Sequence, residues 1–169
     1  EMFVRGRTLE AIADADFKVE RALKAGALAV GAKVELTTFS AYLPMLVNEN
    51  FFDIYRQNAE TIVGVNNVKR GAPRGSSTDM GDLTHIIPTI QPYAAGCSGT
   101  VHGADFIVDD YQAAVVDPAA AMALTAFDLL SNPAQASSIM KEFKPTLDKE
   151  AYLSLQRGFN RNYIYDGLV

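Results

Sequence analysis

Hydrophobic and polar positions change period several times along the chain, and each change marks an element. Residues 2–7, MFVRGR, alternate apolar and polar side chains, the period of a strand. Thr8 follows as a helix N-cap. From Leu9 to about Val30 the period is helical, with Leu9, Ile12, Val19, Leu23 and Ala27 at spacings near three, four and seven. Asp14 with Lys18, and Glu20 with Lys24, form i,i+4 pairs on the polar side. Gly31 suits the C-cap. Residues 33–40, KVELTTFS, alternate again and are rich in β-formers. The result is strand, helix, strand. Such a small sheet leaves both edges open and needs strands from elsewhere.

Pro44 interrupts the pattern. Residues 46–62 predict a second helix with Leu46, Phe51, Ile54, Tyr55 and Ile62 turned inward. The segment 65–77, VNNVKRGAPRGSS, predicts a long loop. Residues 83–95 hold two short apolar runs around Pro88 and predict short strands or extended segments. GCSGTVHG (96–103) reads as a glycine-spaced turn, and 104–110 as extended or turning chain. Asp117-Pro118 predicts a helix start, with Asp as cap and Pro at the first position. Its continuation, AAAMALTAFDLL (119–130), is apolar almost all round, so burial is expected. Ser131-Asn132-Pro133 opens another helix, reaching about Phe143. A last helix covers roughly 148–158, and the aromatic tail NRNYIYDGLV is expected to dock on the domain. A boundary falls near residues 40–46, and no repeat or low-complexity segment occurs.

Composition narrows the classes. The 169 residues are 49% hydrophobic and 21% charged, an ordinary globular balance. A net charge of −5 argues against nucleic acid, which selects a basic face. Cys97 is the single cysteine, so no internal disulfide forms, and a cytoplasmic location is the expectation. No run of about 18 apolar residues is seen, so no membrane partner is expected. The chain starts on Glu1 without a signal-like apolar stretch and reads as mid-strand.

Candidate chemistry centres on two histidines, His85 and His102. His102 lies among glycines, which permit close backbone approach, and suits either a metal ligand or a hydrogen-bonded loop position. His85, between apolar residues, fits a partly buried strand position. Asp79 and Asp82 in STDMGD fit a turn beside a site, or helix capping after Ser76, Ser77 and Thr78. Asp105, Asp109 and Asp110 fit solvated turn positions, and Cys97 an incidental thiol. HExxH, CxxC pairs, a P-loop and GxSxG are all absent.

The stretch STDMGDLTHIIPTIQPYAAGCSGTVHGADF resembles the metal-dependent amidohydrolases and peptidases that include aminoacylase, carboxypeptidase G and aminobenzoyl-glutamate hydrolase. It is nearest the aminoacylase-like dipeptidase branch. Ser77 to Gly81, Pro88 to Tyr93 and Gly96 to His102 carry the resemblance, and DPAAAMALTAFDLL is similar to the family's long helix. The first 34 or so residues after Met2 resemble half of the family's lid domain. The resemblance implies an α/β fold: residues 1–43 as part of a ferredoxin-like lid, and 44–169 as the C-terminal part of the catalytic domain. It implies His102 as a metal ligand, and Asp79, Gly99, Arg5 and Asn48 as residues near substrate. It also implies zinc or another divalent metal in the full-length protein, an N-acyl amino acid or dipeptide-like amide as substrate, and a homo-oligomer. The family's glutamate general base and its other ligands have no counterpart here, so the isolated chain is expected to be inactive and to bind zinc poorly. A non-catalytic binding or oligomerisation module on the same scaffold is the alternative.

Overall fold

The structure is a computed structural model and describes residues 1–72 and 77–167. It combines helices with two antiparallel two-stranded sheets. The chain forms two compact units, each discontinuous in sequence. One comprises Glu1–Leu46, Pro73–Ile86 and Pro145–Val169; the other comprises Val47–Ala72 and Ile87–Lys144.

In the first unit, α1 spans Leu9–Ala29 and begins where the Thr8 hydroxyl accepts from the Ala11 N–H at 3.1 Å. Both i,i+4 pairs form, Lys18 with Asp14 and Lys24 with Glu20, each at 2.6 Å. The helix closes as the capping chemistry demands. Gly31, at φ +64°, donates to Leu28 O, and Ala32 donates to Ala27 O. Strand β1, Lys33–Thr38, follows.

Its partner is not the N-terminal segment. Residues 2–7 form no strand; β1 pairs antiparallel with β4, Arg161–Asp166, from the C-terminal tail. The sequence RNYIYD places Tyr163 and Tyr165 on one face and Ile164 on the other. The register sets Tyr165 opposite Val34 and Tyr163 opposite Leu36. Lys24 of α1 lies over both tyrosine rings, 4.8 and 5.8 Å from their centroids, which seats the helix on this face. Arg161 adds an ion pair to Asp16. The expected strand-helix-strand is therefore a helix and strand completed from the other end of the chain.

The same unit holds two further helices, α3 at Asp79–Thr84 and α6 at Lys149–Phe159. The sequence predicts extended chain from residue 83, but Leu83 and Thr84 close α3 and His85 caps it. The run 85–95 forms turn and irregular chain, not strands. Residues 73–76 of the loop read at 65–77, Ser76 among them, lie outside the described residues.

In the second unit, α2 covers Glu49–Val63, capped by Asn48. Ile54 and Ala59 form its buried side. Strands β2 (Cys97–Ser98) and β3 (Ile107–Val108) make a short hairpin. A π-helical turn, Gln112–Val116, runs straight into α4, Asp117–Ser131, and α5 spans Pro133–Glu142. Asp117 is thus helical rather than a cap, at φ −61°. The start lies seven residues earlier, where the Asp110 carboxylate accepts from the Ala113 N–H at 3.1 Å. Pro118 has no N–H to donate, and the widened turn before it spares the helix that loss.

The burial expected of α4 is not found. Ala121 and Thr125 are buried, and Asp128 accepts from Asn58 of α2 at 2.7 Å. The opposite side is exposed, with Leu130 81% accessible. By length and composition alone, Gln112–Ser131 is apolar enough to cross a membrane.

Candidate functional site

The residues that the resemblance implies are divided between the two units. Arg5 and Asp79 belong to the first unit; Asn48, Gly99 and His102 belong to the second.

Arg5 lies on the irregular N-terminal segment with its guanidinium 5.1 Å above the Phe3 ring. It borders a concavity of about 540 Å³, shared with Val19, Leu36, Tyr42, Leu43 and Phe159. Asp79 opens α3. Its carboxylate accepts from the Thr78 hydroxyl at 2.9 Å and the Met80 N–H at 3.0 Å. It is exposed and does not border that concavity.

The rest of STDMGDLTH forms a clamp that the sequence reading did not identify. The Asp82 carboxylate accepts from the Leu43 N–H at 3.1 Å and the Gln156 amide at 3.2 Å. Burial pushes the Asp82 carboxyl above the ordinary range, against the lowering effect of those hydrogen bonds and of nearby His85. Thr84, 1% exposed, accepts from the Leu46 N–H and donates to Gly81 O. His85, 2% exposed, bonds through Nε2 to Pro44 O at 2.9 Å and through Nδ1 to the Thr146 hydroxyl at 2.6 Å. A carbonyl only accepts, so Nε2 carries the proton. The His85 carbonyl receives the Thr146 N–H in turn. Together these bonds tie α3 to residues 43–46 and to the segments around Thr146 and Gln156. His85 is a structural tie at a helix end, not a strand residue and not exposed for metal. The readable signal was the spacing of Gly81, Thr84 and His85, three and then one apart, which places them on one helical face.

In the second unit, Asn48 is the α2 cap and accepts from the Phe51 N–H at 2.9 Å. That role accounts for the residue without a substrate. The hairpin loop gives the other two their setting. Gly99 has φ +90°, and a Cβ there would come within 2.2 Å of the Asp105 carbonyl oxygen. Glycine is needed at that position. The Asp105 carboxylate accepts from the Thr100 N–H and hydroxyl at 3.1 and 3.3 Å, so it braces the loop rather than merely meeting solvent. Gly103 donates to Thr100 O at 2.7 Å, and His102 sits between them at the tip. His102 has φ +65°, the one non-glycine among the described residues with positive φ. That conformation costs an ordinary residue about 1–2 kcal/mol. The imidazole is exposed.

Among the described residues no three His, Cys, Asp or Glu side chains come together to hold a metal. Zinc takes three or four protein ligands. The donor set of the described residues therefore does not fit a complete zinc site, and the exposed His102 imidazole with one carboxylate already engaged nearby does not substitute for it.

A comparison with curated proteins finds a mouse Xaa-Arg dipeptidase, 30% identical over 147 residues, and a human Xaa-Arg dipeptidase, 26% identical over 147. The chain is similar to Xaa-Arg dipeptidases. The match takes in 81% of this chain but 34% of the mouse dipeptidase and 33% of the human one, so the chain spans about a third of the length of the dipeptidases it matches. No family model matches, and no solved structure matches.

Proposed function

We propose that this chain is one segment of a metal-dependent dipeptidase, carrying a single ligand of the metal site on the tip of its β2–β3 hairpin. The similarity to Xaa-Arg dipeptidases over 81% of the chain carries this reading. The His102 loop supports it. A left-handed histidine held between glycines, over a backbone approach that excludes a side chain at Gly99, is the kind of conformation that packing alone has little reason to maintain. The substrate class would be a dipeptide with a basic C-terminal residue, and the acidic balance of the chain has the sign that attracts one. His102 would contribute one nitrogen to the metal. The remaining ligands and the group that activates water would come from outside these 169 residues, so no catalytic step is assigned to them. Arg5, Asp79, Asn48 and Gly99 stand as substrate-side candidates. Asn48 and Gly99 have structural duties that explain them as well.

A second reading, a non-catalytic module on the same scaffold, draws on one observation: the exposed apolar side of α4.

A graft tests the proposal. Residues 1–169 replace the matched segment of the mouse dipeptidase, and hydrolysis of an Xaa-Arg dipeptide is followed with added zinc. The proposal expects activity that falls at least ~100-fold on His102→Ala. A folded graft whose activity ignores that substitution would remove His102 from the site. A folded graft without activity would favour the non-catalytic module.

A further inference from the structure

The unfavourable backbone of His102 needs a cause, and the loop around it supplies one. Residues 99–106 join Ser98 of β2 to Ile107 of β3. The Gly103 N–H donates to the Thr100 carbonyl at 2.7 Å, which closes a turn from Thr100 to Gly103. Within it His102 has φ +65°, and Val101 has no positive φ. That is the pattern of a type II turn, whose third residue is normally glycine or asparagine. Histidine stands there against the preference of the backbone. Val101 and His102 are both exposed, so packing of their side chains does not impose the conformation.

The turn is held at its base, by Asp105. One carboxylate oxygen, Oδ2, accepts from the Thr100 N–H at 3.1 Å and from the Thr100 hydroxyl at 3.3 Å. The other, Oδ1, lies against Gly103, where a Cβ would come within 2.4 Å of it. The two oxygens of one carboxylate therefore reach the first and the last residue of the turn. The Asp105 backbone is fixed as well, since its carbonyl oxygen would lie 2.2 Å from a Cβ on Gly99. Gly103 O in turn accepts from the Phe106 N–H at 3.3 Å. A strained residue persists only where its surroundings over-determine it. Here the determining contacts converge on Asp105.

We propose that Asp105 is a positioning residue: its carboxylate spans the turn from Thr100 to Gly103 and thereby holds His102 left-handed at the hairpin tip. What that imidazole serves rests on the dipeptidase reading; the clamp itself does not. Asp105→Ala removes the acceptor for both Thr100 donors. The peptide between Val101 and His102 is then free to flip to the type I form, in which the third residue has φ of about −90° and carries no strain. Asp105→Asn keeps an acceptor oxygen for Thr100. A thermodynamic signature follows. While the clamp holds, His102→Gly relieves strain; once the clamp is gone, the same substitution only gives the unfolded chain more freedom.

A double-mutant cycle on the 169-residue protein, followed by urea unfolding, tests the clamp. His102→Gly should raise the folding equilibrium constant about two- to fivefold, the strain relieved less the freedom that glycine loses. In the Asp105→Ala background it should be neutral or unfavourable. Nuclear magnetic resonance adds a readout that global stability does not move. The nuclear Overhauser effect between the amide and α protons of His102, which is strong at positive φ, should be strong in the wild type and in Asp105→Asn and weak in Asp105→Ala. An equal effect of His102→Gly in both backgrounds would overturn the proposal, as would a strong signal persisting in Asp105→Ala. In the mouse dipeptidase graft, Asp105→Ala should lower hydrolysis at least ~10-fold, and Asp105→Asn should retain most of it. A graft that responds to His102→Ala and ignores Asp105→Ala would take the positioning role from Asp105. A graft that ignores His102→Ala would sink the dipeptidase reading instead, and the cycle and the His102 signal would still decide the clamp.

Discussion

Asp82 shows how one carboxylate can hold three segments and still oppose its own charge. It accepts from Leu43 and Gln156, yet burial lifts its carboxyl above the usual range. The folded state therefore binds a proton more readily than the unfolded chain, whose value lies near 3.8. Above that value the folded state holds the extra proton, so stability falls as pH rises through the window between the unfolded and folded values, and is fullest below it. Asp82→Asn keeps an oxygen for both donors and removes the titration. Denaturant midpoints measured from about pH 4 to 6 should fall with pH in the wild type and stay flatter in this variant. Parallel profiles would show that Asp82 does not contribute. The sequence reading placed this residue beside the site or at a cap. It could not separate those from a clamp, because the partners lie 39 and 74 residues away.

At the scale of elements, local signals were legible and long-range ones were not. Thr8, the pairs Asp14–Lys18 and Glu20–Lys24, and Gly31 bracket α1 through contacts within four residues, and all form. Strand β1 was equally plain. Its partner was not, since residues 2–7 and 161–166 both alternate and only the fold decides between them. Asp117-Pro118 misled for a physical reason: a π-helical turn lets a proline follow helix rather than begin it. The apolar circumference of α4 was read correctly as a pattern, but burial needs a second partner that one unit does not provide. Helix α3 entered the reading only through the capping alternative for Asp79 and Asp82, because beyond the spacing of Gly81, Thr84 and His85 its six residues carry little helical period. Its seat on the Leu43 carbonyl makes a sharp prediction. A Cβ on Gly81 would lie 2.0 Å from that oxygen, in a place where backbone must move. Gly81→Ala should destabilise the chain by about 2 kcal/mol or more, read as a lower urea midpoint at unchanged slope. A neutral effect would mean that α3 is not docked there.

At the scale of the whole molecule, the chain is similar to about a third of the length of Xaa-Arg dipeptidases. The residues that the resemblance implies divide between two units, and the described part holds no three-ligand cluster. What the sequence conveyed of the proposed site was the glycine-spaced loop that carries His102. The most direct measurement is calorimetric titration of zinc into the 169-residue protein at neutral pH. One imidazole without further ligands should give no saturable site tighter than about micromolar. A stoichiometric site with nanomolar affinity, lost on His102→Ala, would contradict the account, because it would mean that this chain assembles a metal centre by itself.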